Sequence, residues 1–373
     1  SYYDMLVLEP TRTDRDCIDF DTQSMVSLLK STPGSVLSNK LVIAYIDVGE
    51  AEEWRIYWET WWEAPTESTY GNPDFIVGYD PDGWSGNYPV AYWDSRWQDI
   101  IVDNDSSMLK LAIADGFDGI YMDWVEAYDD ENVMAVADTA GIDAAQEMVD
   151  FIQHIRDVAQ AINPDFLVIA QNAADLCDDH PEYYTIIDAI AQEDFNFLGE
   201  ADVPWGDPDA GDISQEASYH DYLEIKLDSY LANNVPVFTC EYALVPANID
   251  FAYTYDLARG YIPFVTQTPL SQLPDYFPPG YAILEKNAAR PIIGIKAIPN
   301  PFNSICELEI RGVTDMQGRI IIANTSGRIV DEIMIPHGES TVIWDASDIP
   351  SGVYVVRFEN RNSTIIGKIL LLQ

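Results

Sequence analysis

The residues best suited to chemistry lie in GFDGIYMDWVEAY, Gly116–Tyr128. A short apolar run, Gly119-Ile120-Tyr121-Met122, stops at a carboxylate, Asp123, and Trp124, Glu126 and Tyr128 follow at once. A strand that ends in a carboxylate fixes that group in space, and rings beside it can stack on the face of a pyranose. This is the chemistry of a sugar site. Cleaving a glycosidic bond takes two carboxyls, one held protonated and one acting as nucleophile or base. Asp123 therefore needs a partner on another element.

The elements that must supply it recur along the chain. Eight β-rich runs precede residue 280: Met5–Leu8, Leu41–Val48, Tyr88–Trp93, Gly119–Asp123, Phe166–Gln171, Ala189–Gln192, Val235–Cys240 and Tyr261–Gln267. Helical stretches separate them, at Asp105–Asp115, Gly141–Ile162 and Ser218–Asn233. In the second, Met148, Phe151, Ile152, Ile155, Val158 and Ala159 keep helical spacing, and Asn163-Pro164 ends it. Eight such units predict an α/β fold of the (β/α)8 TIM type, with a doubly wound sheet as the alternative.

In a barrel of this type the reactive groups sit at the C-terminal ends of the strands. Those ends read Glu9; Asp47 and Glu50; Asp94 and Arg96; Asp123 and Glu126; Gln171 and Asn172; Glu193 and Asp194; Glu241 and Tyr242; Gln267 and Thr268. Asp123 and Glu193 are the predicted catalytic pair, Asp123 as nucleophile or base and Glu193 as general acid. Glu241 is the rival for either role. Predicted substrate contacts are Asp47, Glu50, Trp84, Asp94, Trp124, Glu126, Gln171, Asn172, Asp194, Glu241 and Gln267. Aromatic residues cluster at Trp54, Tyr57, Trp58, Trp61 and Trp62, around the third run at Trp84, Tyr88, Tyr92, Trp93 and Trp97, and at Trp124 and Tyr128. Sugar stacking competes there with packing between helix and barrel, which suits the first cluster best.

Composition limits the partners. Net charge is −44, and it is uneven: residues 295–373 carry 7 Lys+Arg and 9 Asp+Glu, leaving 12 against 54 in residues 1–294. Such a field repels nucleic acid and anionic lipid and attracts cations. It fits a salt-adapted surface or a cationic substrate, such as a sugar polymer with free amines. Salt adaptation should acidify the whole chain, so the near-neutral tail favours the substrate. The four cysteines form no CxxC pair, and the four histidines show no metal-ligand spacing, so neither metal nor cofactor is predicted. No apolar run reaches the roughly 18 residues of a membrane span. The chain opens at Ser1 without Met or a signal peptide, so for an exported protein the signal is expected to have been removed or to lie outside this sequence.

The rhythm changes near residue 290. Pro291, Pro299 and Pro301 punctuate a linker, and short strands follow at Glu307–Arg311, Arg319–Ala323, Ile329–Ile335, Thr341–Trp344, Val353–Phe358 and Ile365–Leu371. About 80 residues of this pattern predict a small all-β, Ig-like sandwich. The predicted domains are residues 1–290 and 291–373.

AYIDVGEAEEWRIYW, the DGW at Asp82–Trp84, GFDGIYMDWVEAY, Gln171-Asn172 and IDAIAQEDFNF together resemble glycoside hydrolase family 114, which includes the endo-α-1,4-polygalactosaminidases. The resemblance spans nearly all of residues 1–285. It implies a TIM-type barrel that cleaves α-1,4-linked galactosamine polymer, with Asp123 and Glu193 catalytic. Trp124-Val125-Glu126 departs from the Asn-Val-Asp of many relatives. In the tail, IPNPFNS, SGRIV and WDASDIPSGVYVVRF resemble C-terminal sorting domains of the type IX secretion system and the Ig-like hook-capping module. That implies a secreted or cell-surface protein whose tail is read by the outer-membrane secretion machinery. A non-catalytic carbohydrate-binding or adhesin barrel is the alternative function. It would keep the aromatics without needing two acids at catalytic distance.

Overall fold

A computed structural model of the chain describes residues 3–34, 39–66, 69–79, 81, 83–198, 212–268, 270, 273–274, 294–298 and, with short interruptions, 304–371. Two compact units divide it at Pro279/Gly280. The boundary predicted at 290/291 falls outside the described residues, as does Asp82 of the DGW motif.

The first unit is built on one parallel sheet of seven strands. They are β1 (Met5–Leu8), β2 (Leu41–Asp47), β5 (Gly119–Asp123), β6 (Leu167–Gln171), β7 (Ala189–Glu193), β10 (Val237–Tyr242) and β11 (Ile262–Thr266), hydrogen-bonded in that order. Two short antiparallel ribbons stand apart, β3 (Glu50–Glu52) with β4 (Asn87–Pro89) and β8 (Phe197–Leu198) with β9 (Ile213–Ser214). The helices are α1 (Thr22–Lys30), α2 (Ser95–Gln98), α3 (Met108–Ala114), α4 (Glu131–Ala140), α5 (Ala144–Ile162), α6 (Tyr183–Ile186), α7 (Ala217–Ala232) and α8 (Pro246–Arg259).

Side chains alternate across each strand, and the two faces bury different partners. Ile43, Ile169, Ala189 and Ala191 cluster on one face with Met5, Leu41, Tyr121, Leu167 and Phe238, so six strands meet on a common interior. Val42, Ala44, Ile46, Ile120, Met122, Val168, Ala170, Ile190 and Val237 pack on the other face with residues of the helices, among them Phe151, Ile152 and Ile155 of α5. The ring of Tyr3, just before β1, meets Phe264 of β11 at 6.0 Å, so the sheet curls until its first and last strands approach. This is a TIM-type barrel.

The third predicted strand is the exception. Of Tyr88–Trp93, the first two residues lie within β4, and Val90 adds only a lone antiparallel bridge to Ile76. That strand pairs antiparallel with β3, Ala51 opposite Tyr88, while β2 pairs directly with β5. Pro89 lacks the N–H that a central strand needs, which suits it to a short outlying ribbon.

In the second unit, β12 (Gly294–Ile298), β13 (Ile305–Arg311) and β16 (Thr341–Asp345) form one antiparallel sheet. A second contains β14 (Arg319–Asn324), β15 (Ile329–Met334), β17 (Gly352–Glu359) and β18 (Thr364–Leu371). Leu308 and Trp344 of the first sheet and Ile320, Phe358 and Leu371 of the second share one buried core, as an all-β sandwich requires. The strand β12 lies within the stretch expected to be linker. All four cysteines are free, and no described helix is long and apolar enough to cross a membrane.

Candidate active site

The inward positions of β5 and β7 end in Asp123 and Glu193, and both are partly exposed. The chain leaves three neighbouring strands in the same way. Trp124, Asn172 and Asp194 each follow the last residue of β5, β6 or β7, and each has a positive φ, 56°, 54° and 56°. Left-handed backbone is uncommon for residues other than glycine and is concentrated at functional sites. Here it turns the chain sharply away and leaves Asp123, Gln171 and Glu193 as the last inward side chains of their strands. Gly49 makes room for one of these turns. A Cβ there would sit 2.2 Å from the Trp124 carbonyl oxygen, too close for any side chain.

Three tyrosines hold the pair, each with the inward parity of its strand. Tyr45 donates to Asp123 Oδ2, and the backbone N–H of Trp124 donates to Oδ1 at 2.9 Å. Tyr121 donates to Glu193 Oε1 at 3.1 Å and Tyr242 to Oε2 at 2.8 Å. Gln171 also hydrogen-bonds Glu193, and its Oε1 accepts from Trp124 N at 3.3 Å. Asn172 braces the turn. Its Oδ1 accepts from the backbone N–H of Glu193 at 2.9 Å, and its amide donates to Glu126 at 3.2 Å.

Further acids crowd Asp123. Asp47 is its register partner on β2, and Asp47, Glu50 and Glu52 are all buried. Asp47 Oδ1 accepts from the N–H groups of Glu50 and Gly49 at 2.8 and 3.1 Å, yet burial, then repulsion from Glu50 and Asp123, holds its pKa well above the carboxylate range. Glu52 is pushed up to about 7 by burial although Arg55 lies against it. Asp123 is pushed up to about 7, first by burial and next by the charge of Glu193. Glu193 is also raised by burial, but hydrogen bonds from Tyr242 and Tyr121 pull back. Asp123 and Glu193 thus titrate as a pair that keeps a proton near neutrality. Glu193 accepts from the Tyr121 and Tyr242 hydroxyls, and Asp123 from the Tyr45 hydroxyl and the Trp124 N–H.

The other predicted contacts divide. Asp47, Glu50, Gln171, Asn172 and Trp124 join the pair as described. Glu126 joins through Asn172, and Asp194 follows Glu193, with its carbonyl accepting from Gln215. Gln267 is buried one residue beyond β11. Trp84 is 59% exposed, just before the turn that leads into β4. Asp94 is a helix cap: its Oδ1 accepts from Arg96 N at 2.9 Å, and Arg96 ion-pairs with it and holds its pKa down. Glu241 points away from the interior. It is fully buried with Asn196 and Asp256 behind the sheet, where burial and the Asp256 charge hold it strongly protonated. Strand parity decides this, since Cys240 and Tyr242 face inward and the residue between them cannot. The same parity marks Tyr45 and Tyr121, two residues before Asp47 and Asp123, as site residues that a search for carboxylates alone passes over.

A curled parallel barrel that gathers carboxyls at the C-terminal ends of its strands is a frame on which glycoside hydrolases are built. The chain belongs to glycoside hydrolase family GH114, whose description matches residues 9–278. Residues 296–372 match a secretion system C-terminal sorting domain. An uncharacterized protein of Deinococcus radiodurans is 36% identical over 232 residues, 62% of this chain and 66% of its own length. Another, from Thermotoga maritima, is 31% identical over 160 residues, 42% of this chain and 45% of its own. The matches therefore span less than two thirds of either relative. Among solved structures, the crystal structure of Aspergillus fumigatus Ega3 in complex with galactosamine shares the fold, with 18% identity and a TM-score of 0.50 over 74% of this chain and 88% of that one.

Proposed function

We propose that this chain is an exported glycoside hydrolase that cleaves an α-linked, polygalactosamine-like amino-sugar polymer. One observation carries the reading: two reachable carboxyls stand on inward strand ends, close enough for the charge of one to raise the other, inside a ring of tyrosine donors. Hydrolysis needs one carboxyl protonated and one ionised at the same pH, and the charge of Glu193 favours the proton on Asp123. Asp123 gives its proton to the leaving oxygen. In this reading, which exchanges the roles expected from the sequence, Glu193 is the carboxylate that acts at the anomeric carbon or on water.

The substrate class follows from charge and kinship. Residues 1–294 carry 12 basic against 54 acidic residues, a field that concentrates cationic sugars at the mouth. The solved relative in fold has galactosamine bound, and the motifs resemble those of the polygalactosaminidases. The sorting-domain match supports export, with the tail as the part read by the secretion machinery.

The raised Asp123 carboxyl predicts the pH profile. Since Asp123 must keep its proton and is pushed up to about 7, kcat/KM is expected to fall about tenfold per pH unit above an apparent pKa near 7. A rate that stays flat from about pH 6 to 9 would contradict the assignment.

A further inference from the structure

We propose that a cavity beside Trp61 is a second saccharide-binding site, holding a stretch of the same polymer away from the scissile bond; this rests on the polysaccharide function proposed above. The cavity has a volume of about 410 Å³ and is lined by Tyr57, Trp61, Trp62, Phe75, Arg96 and Asn104 among others. That lies in the range of small-molecule sites, roughly 300 to 1,000 Å³. None of the acids grouped around Asp123 and Glu193 lines it.

Its wall is rigid and aromatic. Trp62 meets Phe75 edge-on at 5.5 Å and Tyr57 at 6.2 Å, and Tyr57 meets Trp97 edge-on at 5.5 Å. Packing accounts for Tyr57 and Trp62, which are half-buried, but Trp61 stands 57% exposed at its rim. An exposed indole beside a walled cavity offers the flat apolar face on which a pyranose stacks. The polar rim fits an amino sugar. Arg96 is tied to Asp94 and Asp74, two carboxylates for one guanidinium, and Glu59 adds a third. The balance is negative, and aromatic faces also favour an ammonium.

The wall of the cavity is packed against the residues beside the mouth. The Tyr57 hydroxyl accepts from the backbone N–H of Glu52 at 2.8 Å. Trp58 lies 5.2 Å from Trp62 and 5.4 Å from Tyr88 of β4, the partner strand of the Glu50–Glu52 ribbon. One aromatic layer therefore runs from the acids beside Asp123 to the cavity. The proposed site would therefore serve a long chain that reaches both places rather than a disaccharide held at the mouth.

The test reads affinity without turnover. Calorimetry compares Glu193→Gln with Glu193→Gln/Trp61→Ala, using de-N-acetylated galactosamine polymer and a galactosamine disaccharide. Loss of Trp61 is expected to weaken polymer binding at least tenfold, the scale of a tryptophan anchor, and disaccharide binding by less than about twofold. Trp61→Phe, which keeps a ring, is expected to restore most of the polymer affinity. Unchanged polymer affinity, an equal loss for both ligands, or no polymer binding by Glu193→Gln overturns the proposal. A wild type that binds the polymer without cleaving it overturns the hydrolase reading and leaves this site standing.

Discussion

Asp123→Asn is expected to lower turnover by roughly 10³-fold or more while making the folded protein more stable at pH 8. The activity loss follows from removing the proposed proton donor. The stability gain follows from linkage. The Asp123 carboxyl is pushed up to about 7 in the folded chain from an ordinary 3.8. Between those values the native state keeps a proton that the unfolded state has lost, so stability falls as pH rises through this window. Above pH 7 the ionised group costs on the order of 4 kcal/mol, which the neutral amide does not incur. Below about pH 4 both states are protonated and the variant should show no gain. A thermal melt at each pH checks the sign. The same variant separates the roles of the pair. A galactosaminide with a good aryl leaving group needs no proton, so Asp123→Asn should recover on it and Glu193→Gln should not. Recovery by Glu193→Gln alone would exchange the roles.

The second large effect lies beside the mouth. Arg55 is 1% exposed, and its guanidinium bonds both oxygens of Glu52, with Glu9 and Thr13 completing its partners. This pin joins the end of β1 to the β3 ribbon. Arg55→Met leaves Glu52, itself 3% exposed, without its counter-charge. Breaking a buried pair in this way costs about 3–5 kcal/mol, a fall in Tm of roughly 10 °C or more. Adding Glu52→Gln removes the orphaned charge, so the double variant should be more stable than Arg55→Met alone. If the two losses simply add, the pair does not act as a unit.

The sequence made most of the barrel legible because parallel strands buried on both faces read as short apolar runs between helices. Seven of the eight predicted runs lie in the sheet, and each of the six strands predicted in the tail has its counterpart among β13–β18. The third run failed because aromatic, β-prone residues mark any extended segment, whereas Pro89 and the pairing of Tyr88 with Ala51 are settled by tertiary context. The carboxylates at strand ends were visible, but not which way each one points. Asp94 caps a helix, and Glu241 serves a buried network with Asn196 and Asp256. Counting parity back from Asp123 separates Glu241 from the site and brings in Tyr45 and Tyr121. Nothing local in the sequence announces the left-handed turns at Trp124, Asn172 and Asp194, since they depend on packing such as that of Gly49 under Trp124.

The central claim is that this barrel cuts amino-sugar polymer with Asp123 and Glu193. Its most direct test is product release from de-N-acetylated α-1,4-galactosamine polymer, beside the N-acetylated polymer, by wild type, Asp123→Asn and Glu193→Gln. The account predicts oligomers from the amino polymer with wild type and essentially none with either variant. No release by wild type, or wild-type release by both variants, would contradict it and leave a carbohydrate-binding barrel in its place.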